Sequence, residues 1–404
     1  MPPIKCFFAK NAINYKPNDR ITACPRGHGS LAKISDSVKP SDFLNNEGFR
    51  NLRKTLQDGE WDTSHCDTCM EREQRNITSM RQNINSEFNP NTKINANGKV
   101  RYRELKFIEL RFSNTCNLCC LHCGPDYSSQ WASLIKNNPL QKDDVAHNIR
   151  GWVNPSKNTN WTSKQVRDFV EDLNRNFPNV ERFDIAGGEP LYQKQFWLFL
   201  DLIKDHPNIK RMTISITSNF NVDINYKDFA KKLNKFKCAN VRISLDAGKN
   251  LYDYFRGGSW EKVEDNIKQF NKTRRNTQLE VTNTIGVHQI LDLEDVIVSM
   301  LELPVDKLHH SIIQYPDYLS PHVFESNNQR VIDEIDRAKA AINCYKSDIK
   351  YVSAHRMIKS LEKEYSNSKY KSTLLKSFQY YTNKMDKIKN TNFESVFGYK
   401  IDEL

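Results

Sequence analysis

The cysteines are the residues of this 404-residue sequence whose type and spacing most clearly indicate chemistry. Eight of the ten lie within the first 123 residues, in two tight groups. In a protein of the reducing cytosol, clustered thiols indicate metal binding rather than structural disulfides. We therefore expect each of the two groups to form a metal centre.

The second group lies in the segment RFSNTCNLCCLHCGP, where Cys116, Cys120 and Cys123 have the spacing C-x3-C-x2-C. Thiolates hold iron–sulfur clusters, and three of them leave one iron of a 4Fe-4S cluster without a protein ligand. A metal centre with an open position binds a further ligand, as catalytic zinc does. Taken alone, the triplet is also compatible with a zinc site or with chance clustering. Cys119 lies between these cysteines and is expected to be a bystander.

The elements that position this triplet are predicted by the alternation of short apolar segments with amphipathic helical ones. The apolar segments are residues 106–112, 180–186, 211–217, 241–247, 279–287 and 309–315. Such alternation predicts a parallel sheet with helices on its outside. Six repeats are too few for an eight-stranded barrel, so we expect an α/β fold with a partial (β/α)6 barrel of the TIM type. Ligands of α/β sheets bind at the carboxyl ends of strands, where the cysteine segment begins.

Three regions are expected along the chain. Residues 1–100 form a cysteine-rich module that ends in a linker from residue 83, and they include an amphipathic helix at 41–56. Residues 101–320 form the barrel, and residues 321–404 form a helical C-terminal extension. An insertion at 124–163 carries Trp131, Trp152 and Trp161, which are expected to belong to a lid or to the core.

The cysteine triplet resembles the signature of the radical S-adenosylmethionine (radical SAM) superfamily. In that family the open iron binds the amino and carboxylate groups of S-adenosylmethionine. His122 stands where the family usually has another aromatic residue, and its flat ring would pack near the adenine. The second predicted strand ends in DIAGGEPLY, and Gly187-Gly188-Glu189 matches the GGE motif of the family. The resemblance implies that the glycines, which lack Cβ, admit the methionyl amino group, and that Glu189 or a neighbouring carbonyl accepts from it.

Further cofactor contacts are implied by the segments ISLDA and FRGGSW. Ser244 and Arg256 resemble the peptide-modifying branch of the superfamily, in which the serine bonds the ribose and the arginine pairs with the methionyl carboxylate. A guanidinium suits a carboxylate because it makes two parallel charge-assisted hydrogen bonds. Asp246, and Ser218 with Asn219 at the end of the third strand, are expected to contact the cofactor as well.

The first cysteine group consists of Cys6, Cys24, Cys66 and Cys69. Four cysteines that end in a C-x2-C pair can hold a structural zinc ion or a fully ligated 4Fe-4S cluster, and the spacing favours neither. The surrounding sequence resembles the twitch or SPASM-type auxiliary-cluster module of radical SAM proteins, which implies a second 4Fe-4S cluster. Here the module precedes the barrel, as in a group of twitch-domain proteins that includes several from phages. The tract FQYYTNKMDKIKNTNFESVF resembles the ending of that group.

The resemblance implies an enzyme that reductively cleaves S-adenosylmethionine at the 4Fe-4S cluster. The resulting 5′-deoxyadenosyl radical would modify a peptide or protein substrate, and a reductant such as flavodoxin or ferredoxin would supply the electron. One alternative is a radical enzyme that modifies a nucleotide or RNA, which the net charge of +11 permits. A more remote alternative is a non-enzymatic zinc protein that binds nucleic acid, which would leave the GGE motif and Arg256 without a purpose.

The termini and the hydropathy of the chain indicate a cytoplasmic protein without a membrane partner. No apolar run approaches the roughly 20 residues that a membrane helix needs. The N-terminus, MPPIKCFFAKNAINYK, has no continuous apolar stretch behind a basic start, so it does not resemble a secretory signal.

Overall fold

The computed structural model describes residues 2–149, 160–366 and 372–404. These residues form an α/β fold whose strands belong to one mostly parallel sheet, in the order β2-β1-β3-β4-β5-β6-β7-β8. The strands are β1 (Ala12–Tyr15), β2 (Ile21–Thr22), β3 (Phe107–Leu110), β4 (Arg182–Ile185), β5 (Thr213–Ser218), β6 (Cys238–Ser244), β7 (Thr277–Ile285) and β8 (Lys307–Ile312). The six predicted strands are confirmed as β3 to β8, and the mostly parallel sheet agrees with a partial barrel of the TIM type.

The sheet is longer than the six predicted strands because the N-terminal region adds β1 and β2. Strand β1 pairs in parallel with β3, with Ala12 opposite Phe107, and β2 pairs with β1 in antiparallel fashion. All four residues of β1 are buried. A fully buried strand of four residues shows no alternation of apolar and polar side chains, which is why the sequence pattern did not reveal it.

Helices follow most strands and form most of the C-terminal region that is described. They are α1 (Phe7–Asn11), α2 (Pro40–Phe43), α3 (Glu47–Gln57), α4 (Thr63–Gln74), α5 (Met80–Glu87), α6 (Ser129–Asn137), α7 (Lys142–Ala146), α8 (Ser163–Asn176), α9 (Lys194–Ile203), α10 (Tyr226–Leu233), α11 (Tyr252–Arg256), α12 (Trp260–Thr273), α13 (Val287–Ile290), α14 (Leu293–Glu302), α15 (Gln329–Ile342), α16 (Tyr351–Ser366), α17 (Ser372–Lys389) and α18 (Phe393–Phe397). Every helix in the described ranges is too short or too polar to span a bilayer.

Two details of the predicted N-terminal region differ in the structure. The helix expected at 41–56 is divided into α2 and α3, because the side chain of Asn46 accepts from the backbone N–H of Phe49 at 2.9 Å and begins a new helix there. The linker expected from residue 83 begins later, since α5 continues to Glu87.

Of the insertion tryptophans, Trp131 and Trp161 are each 1% exposed. They therefore belong to the core and not to a lid, whereas Trp152 lies outside the described residues.

The chain divides into two compact units. The first comprises Met1–Thr115, Lys157–Ile216 and Lys231–Ala239, and the second comprises Cys116–Ser156, Thr217–Ala230 and Asn240–Leu404. The first unit contains the N-terminal cysteines and the GGE motif. The second contains the cysteine triplet, Arg256 and the C-terminal helices. The domain boundaries placed at residues 100 and 320 stay predictions.

Candidate active site

The segment between Cys116 and Cys123, called here the cysteine loop, gathers three of its thiols in one place. Cys116 and Cys120 are 8% and 7% exposed and form a small cluster with Leu118, against which the partly buried Cys123 packs. The three predicted cluster ligands are therefore brought together. Cys119 is not part of this cluster.

Residues at the start of α6 hold the cysteine loop from one side. The hydroxyl of Ser128 donates to the carbonyl of Leu118 at 2.7 Å, and the indole N–H of Trp131 donates to the carbonyl of Cys120 at 2.8 Å. The hydroxyl of Ser129 accepts from the backbone N–H of Cys116 at 3.2 Å. Backbone groups of an irregular buried loop need such partners because no strand or helix supplies them.

His122 lies flat against the ring of Phe255, with 5.1 Å between the ring centroids and 4° between the planes. Its Nε2 is 3.5 Å from a carboxylate oxygen of Asp246. Both neighbours come from elements that follow β6. The ring at position 122 is thus fixed by packing on one face and by a carboxylate at its edge.

Asp246 is a buried carboxylate that organises the region after β6. It is 2% exposed and has a φ of 53°, a left-handed conformation that aspartate tolerates better than most residues. Its Oδ1 accepts from the backbone N–H of Thr284 at 2.8 Å, and its carbonyl accepts from the side chain of Gln289 at 2.7 Å. Its Oδ2 pairs with Nη1 of Arg256.

Arg256, the last residue of α11, is a buried cation beside the cysteine loop. The side chain is 5% exposed. Burial by itself lowers the pKa of Arg256, but Cys120 and Asp246 more than offset this, so that the pKa lies above its ordinary value. Its Nε is buried without a hydrogen-bond partner among the described residues. A buried N–H left in this state fits an anionic ligand such as a carboxylate.

The turn after β5 places Ser218 and Asn219 near the cysteine loop. Both side chains accept from the backbone two residues onward, Ser218 from Phe220 at 2.9 Å and Asn219 from Asn221 at 2.8 Å. The amide of Asn219 also donates toward the sulfur of Cys116, at 3.9 Å. Ser244, the last residue of β6, is partly buried. Their contacts with a cofactor stay predictions.

The GGE motif forms a tight turn at the end of β4, within the first unit. Gly187 and Gly188 have φ values of 84° and 58°. A Cβ at Gly188 would lie 2.3 Å from the carbonyl oxygen of Thr115. Any other residue at this position would therefore clash with the backbone that immediately precedes Cys116. Glu189 is fully buried, and its side chain accepts from the backbone N–H of Leu191 at 2.9 Å.

Gln193 is a residue of this turn that the sequence pattern did not single out. Its amide nitrogen donates to the carbonyls of Thr115, at 2.9 Å, and of Gly187, at 3.0 Å. It is 2% exposed. The side chain therefore ties the GGE turn to the backbone just before the cysteine loop. The sequence does not reveal these contacts, because a glutamine at the start of a helix, four residues after Glu189, is an ordinary feature.

In the first unit, Cys6, Cys24, Cys66 and Cys69 all line one pocket, together with Phe8, Trp61, Met80 and Arg81. Cys66 and Cys69 are one turn apart on α4 and so share a face of the helix. Burial and, as the second largest cause, the neighbouring Cys6 raise the pKa of Cys24 to about 12. Burial raises the pKa of Cys6 and of Cys66 as well. Thiolates in such a pocket require a bound cation.

The wall of this pocket contains a fixed cation, Arg81. It makes two hydrogen bonds to Glu73, at 2.9 and 2.5 Å, and lies over the ring of Trp61 at 5.6 Å. The pocket also contains His65, whose Nε2 accepts from the backbone N–H of Ala23 at 3.2 Å. Because that nitrogen is an acceptor, His65 is not expected to bind metal through it.

Both cysteine sets supply soft thiolate ligands, which suit iron–sulfur clusters and zinc ions. Across residues 2–149, 160–366 and 372–404, no group of three or more Cys, His, Asp or Glu side chains is close enough to hold one metal ion. The thiols of each set nevertheless gather in one cluster or around one pocket.

Solved structures that align with part of the chain include anSMEcpe with bound AdoMet, at a TM-score of 0.40 and 17% identity, covering 61% of this chain and 60% of that one. Streptococcus suis SuiB bound to precursor peptide SuiA has a TM-score of 0.37 at 14% identity, covering 72% of this chain and 51% of that one. These similarities are too distant to transfer a function.

Among curated proteins, GTP 3′,8-cyclase of Campylobacter jejuni subsp. doylei is 23% identical over 208 residues, which are 51% of this chain and 54% of that protein. Probable GTP 3′,8-cyclase of Methanococcus aeolicus is 25% identical over 232 residues, covering 54% of this chain and 68% of that protein. The chain thus spans about half the length of the first of these relatives.

The family comparison covers the region in which the cysteine triplet, the GGE turn and Arg256 lie. The radical SAM superfamily matches residues 110–296 of the chain. The same range contains the buried arginine and the grouped thiols described above. The prediction of a radical SAM enzyme is therefore confirmed over residues 110–296, the part of the chain that the family model matches.

Proposed function

We propose that the enzyme holds a 4Fe-4S cluster through Cys116, Cys120 and Cys123 and uses S-adenosylmethionine to modify a peptide or protein. When bound, cluster and cofactor supply a 5′-deoxyadenosyl radical that removes a hydrogen atom from the substrate. The observation that carries the proposal is Arg256, which is buried beside the cysteine loop and keeps one N–H available for a carboxylate. Asp246 orients this guanidinium and limits its movement.

The remaining cofactor contacts are proposed for residues that end strands or follow them. They are His122, Gly187, Gly188, Glu189, Ser218, Asn219, Ser244 and Asp246. His122 offers a flat ring, already stacked on Phe255, beside which an adenine can pack. The peptide or protein substrate is inferred from the resemblance of Ser244 and Arg256 to the peptide-modifying branch. A small reductant protein such as flavodoxin or ferredoxin would supply the electron.

A second 4Fe-4S cluster is proposed for Cys6, Cys24, Cys66 and Cys69. Support comes from the convergence of the four cysteines on one pocket. Four thiolates would ligate every iron of such a cluster. Its role would then be electron transfer or support of the module, without direct binding of substrate. A structural zinc ion remains the alternative for this pocket.

A nucleotide substrate is the second candidate, because the curated relatives are named as GTP 3′,8-cyclases at 23% and 25% identity. The basic balance of the chain, a net charge of +11, is compatible with an anionic substrate. The two candidates share the same chemistry of the cofactor and differ only in what donates the hydrogen atom.

The first experiment tests cleavage of the cofactor. Protein reconstituted anaerobically with iron and sulfide is expected to release 5′-deoxyadenosine from S-adenosylmethionine when dithionite is added. Cys120→Ala should abolish the release, whereas Cys119→Ala should retain it because that thiol lies outside the grouped ligands. Equal release by wild type and Cys120→Ala would contradict the assignment of the cluster.

The second experiment separates the substrate classes. An extract of the producing cells is divided, and one part is treated with protease and another with phosphatase and nuclease. A peptide substrate predicts that the extract stimulates release of 5′-deoxyadenosine and that protease treatment alone removes the stimulation. Stimulation by purified GTP, or loss of stimulation only after phosphatase and nuclease treatment, would favour the nucleotide candidate instead.

A further inference from the structure

The backbone of the cysteine loop is held by side chains at four consecutive carbonyl groups. The first and third, those of Leu118 and Cys120, accept from residues at the start of α6, as described above. The second and fourth, those of Cys119 and Leu121, accept from side chains of the C-terminal helix α17. Tyr381 donates its hydroxyl to the carbonyl of Leu121, and Lys389 donates its ammonium to the carbonyl of Cys119 at 3.1 Å. Half of the loop is therefore anchored from a helix more than 250 residues away.

The position of Lys389 is set by the way in which α17 ends. Asn390 has a φ of 53°, the left-handed conformation that commonly follows a helix. The backbone N–H of Thr391 then donates to the carbonyl of Asp386 at 3.0 Å, which closes the last turn. Lys389 is thus the final helical residue. Its charge is favoured there because the carbonyl end of a helix attracts cations.

Lys389 reaches a narrow space next to the cluster ligands. A Cβ placed on Gly257 would lie 3.5 Å from Nζ of Lys389 and 4.0 Å from the carbonyl oxygen of Cys119. Gly257 directly follows Arg256, so two cations approach the cysteine loop from adjacent places. The ammonium of Lys389 thus brings a positive charge to within hydrogen-bond distance of the backbone of Cys119, directly beside Cys120.

We propose that Lys389 and Tyr381 are positioning residues for the cluster of the cysteine loop, and that the charge of Lys389 makes this cluster easier to reduce. The inference rests on the cluster proposed above. Reduction adds a negative charge to the cluster, and a nearby cation stabilises the reduced form more than the oxidised one. Net charge, hydrogen bonding and solvent exposure are the means by which proteins set the potentials of such clusters. The C-terminal extension would then contribute to the active site and not only to stability.

The test is a potentiometric titration of the reconstituted enzyme followed by electron paramagnetic resonance. The signal of this cluster is recognised by its change when S-adenosylmethionine is added. Lys389→Met and Lys389→Gln are expected to shift the midpoint potential to more negative values, while Lys389→Arg keeps it near that of the wild type. Gln retains a donor for the carbonyl of Cys119 without the charge, so it separates the two effects. Lys387→Met is the matched control, because Lys387 is exposed on the same turn.

Tyr381→Phe tests the positioning role without a change of charge. It is expected to leave the potential unchanged and to speed the loss of iron to a chelator. Unchanged potentials in Lys389→Met and Lys389→Gln, at full iron content, would overturn the role of the charge. Iron loss from Tyr381→Phe at the wild-type rate would overturn the positioning role of that hydroxyl. A wild-type enzyme without any signal that responds to S-adenosylmethionine would instead refute the proposed function itself.

Discussion

At the scale of single residues, the side chain of Arg256 has three properties that together suit it to bind an anion. It is buried, it is paired with a buried carboxylate, and one of its N–H groups has no partner in the described part of the chain. The pairing with Asp246 was not anticipated, since both residues were expected to contact the cofactor independently. The ion pair places the guanidinium before any ligand arrives, which lowers the entropy cost of binding.

We expect Arg256→Ala to weaken the binding of S-adenosylmethionine by about tenfold to a hundredfold, because losing one charge-assisted hydrogen bond costs roughly 1.5–3 kcal/mol. The dissociation constant, measured by anaerobic calorimetry on reconstituted protein of equal iron content, gives the result. Arg167→Ala, which changes an exposed arginine on α8, should bind as the wild type does. Equal affinity in both variants would place the carboxylate of the cofactor elsewhere.

Gly188 offers a second test at this scale, in which a steric clash is separated from backbone strain. Gly188→Ala would place a methyl group 2.3 Å from the carbonyl oxygen of Thr115, next to Cys116 in the chain. We expect the variant to lose iron and to be less stable by about 1–3 kcal/mol from overpacking, in addition to the strain of its positive φ. Iron content and thermal unfolding are the measurements.

Gly398→Ala is the control for this change. Gly398 also has a positive φ, 75°, but nothing lies within 4 Å of its missing Cβ. It should therefore show the strain alone and keep its iron. A Gly188→Ala protein with full iron content would mean that the contact with Thr115 relaxes without disturbing the cysteine loop.

At the scale of elements, the N-terminal cysteines are carried by a helix start, a turn and one face of α4. Cys6 immediately precedes α1, and Cys24 follows β2. The short strand β1 between them pairs with β3, so the pocket of the four cysteines is attached to the sheet through β1. Cys6 and Cys24 also pack against a buried apolar cluster that includes Phe8 and Phe107 of β3, which helps to keep the thiols in place.

The metal content of a variant lacking the first cluster tests this pocket. In Cys116→Ala/Cys120→Ala/Cys123→Ala, we expect about four irons per chain after anaerobic reconstitution, all bound by the N-terminal cysteines. Adding Cys66→Ala and Cys69→Ala should remove them, because α4 supplies two of the four ligands. One zinc and no iron in the triple variant would show a structural metal and would remove the second redox centre.

At the scale of the whole molecule, a buried ion pair within the second unit joins the C-terminal extension to the insertion. Asp144 of α7 is fully buried and accepts from Lys384 of α17 at 2.6 Å and from the hydroxyl of Tyr380 at 3.1 Å. His147 stacks on Tyr380 with 4.6 Å between the centroids. Helix α17, which reaches the cysteine loop through Tyr381 and Lys389, is therefore also attached to the insertion through Tyr380 and Lys384.

Asp144→Asn should lower the free energy of unfolding by about 3 kcal/mol, because breaking a buried ion pair leaves the ammonium of Lys384 without its counter-charge. Thermal unfolding of the unreconstituted protein measures the change. Glu171→Gln removes one partner of an exposed pair with Arg175 on α8 and should cost less than about 0.5 kcal/mol. A similar small change in both variants would mean that α17 is held mainly by apolar packing.

Several features of this enzyme could be determined from the sequence because they are local. The cysteine triplet, the GGE motif and the strands β3 to β8 each lie within a short window, where spacing and apolar pattern are visible. The prediction of a radical SAM enzyme followed from those windows, and the family model matches the range that contains them. The short buried strand β1 was missed because its four residues leave no period to detect.

Only the tertiary structure decided how the cysteine loop is held. Trp131 was visible as an insertion tryptophan, but its bond to the carbonyl of Cys120 depends on the fold of the loop. Tyr381 and Lys389 lie in the C-terminal tract noted above, yet nothing in its composition pairs them with carbonyls 260 and 270 residues away. A side chain carries its chemistry in the sequence, whereas its partner is set by packing between distant elements, which no local pattern records.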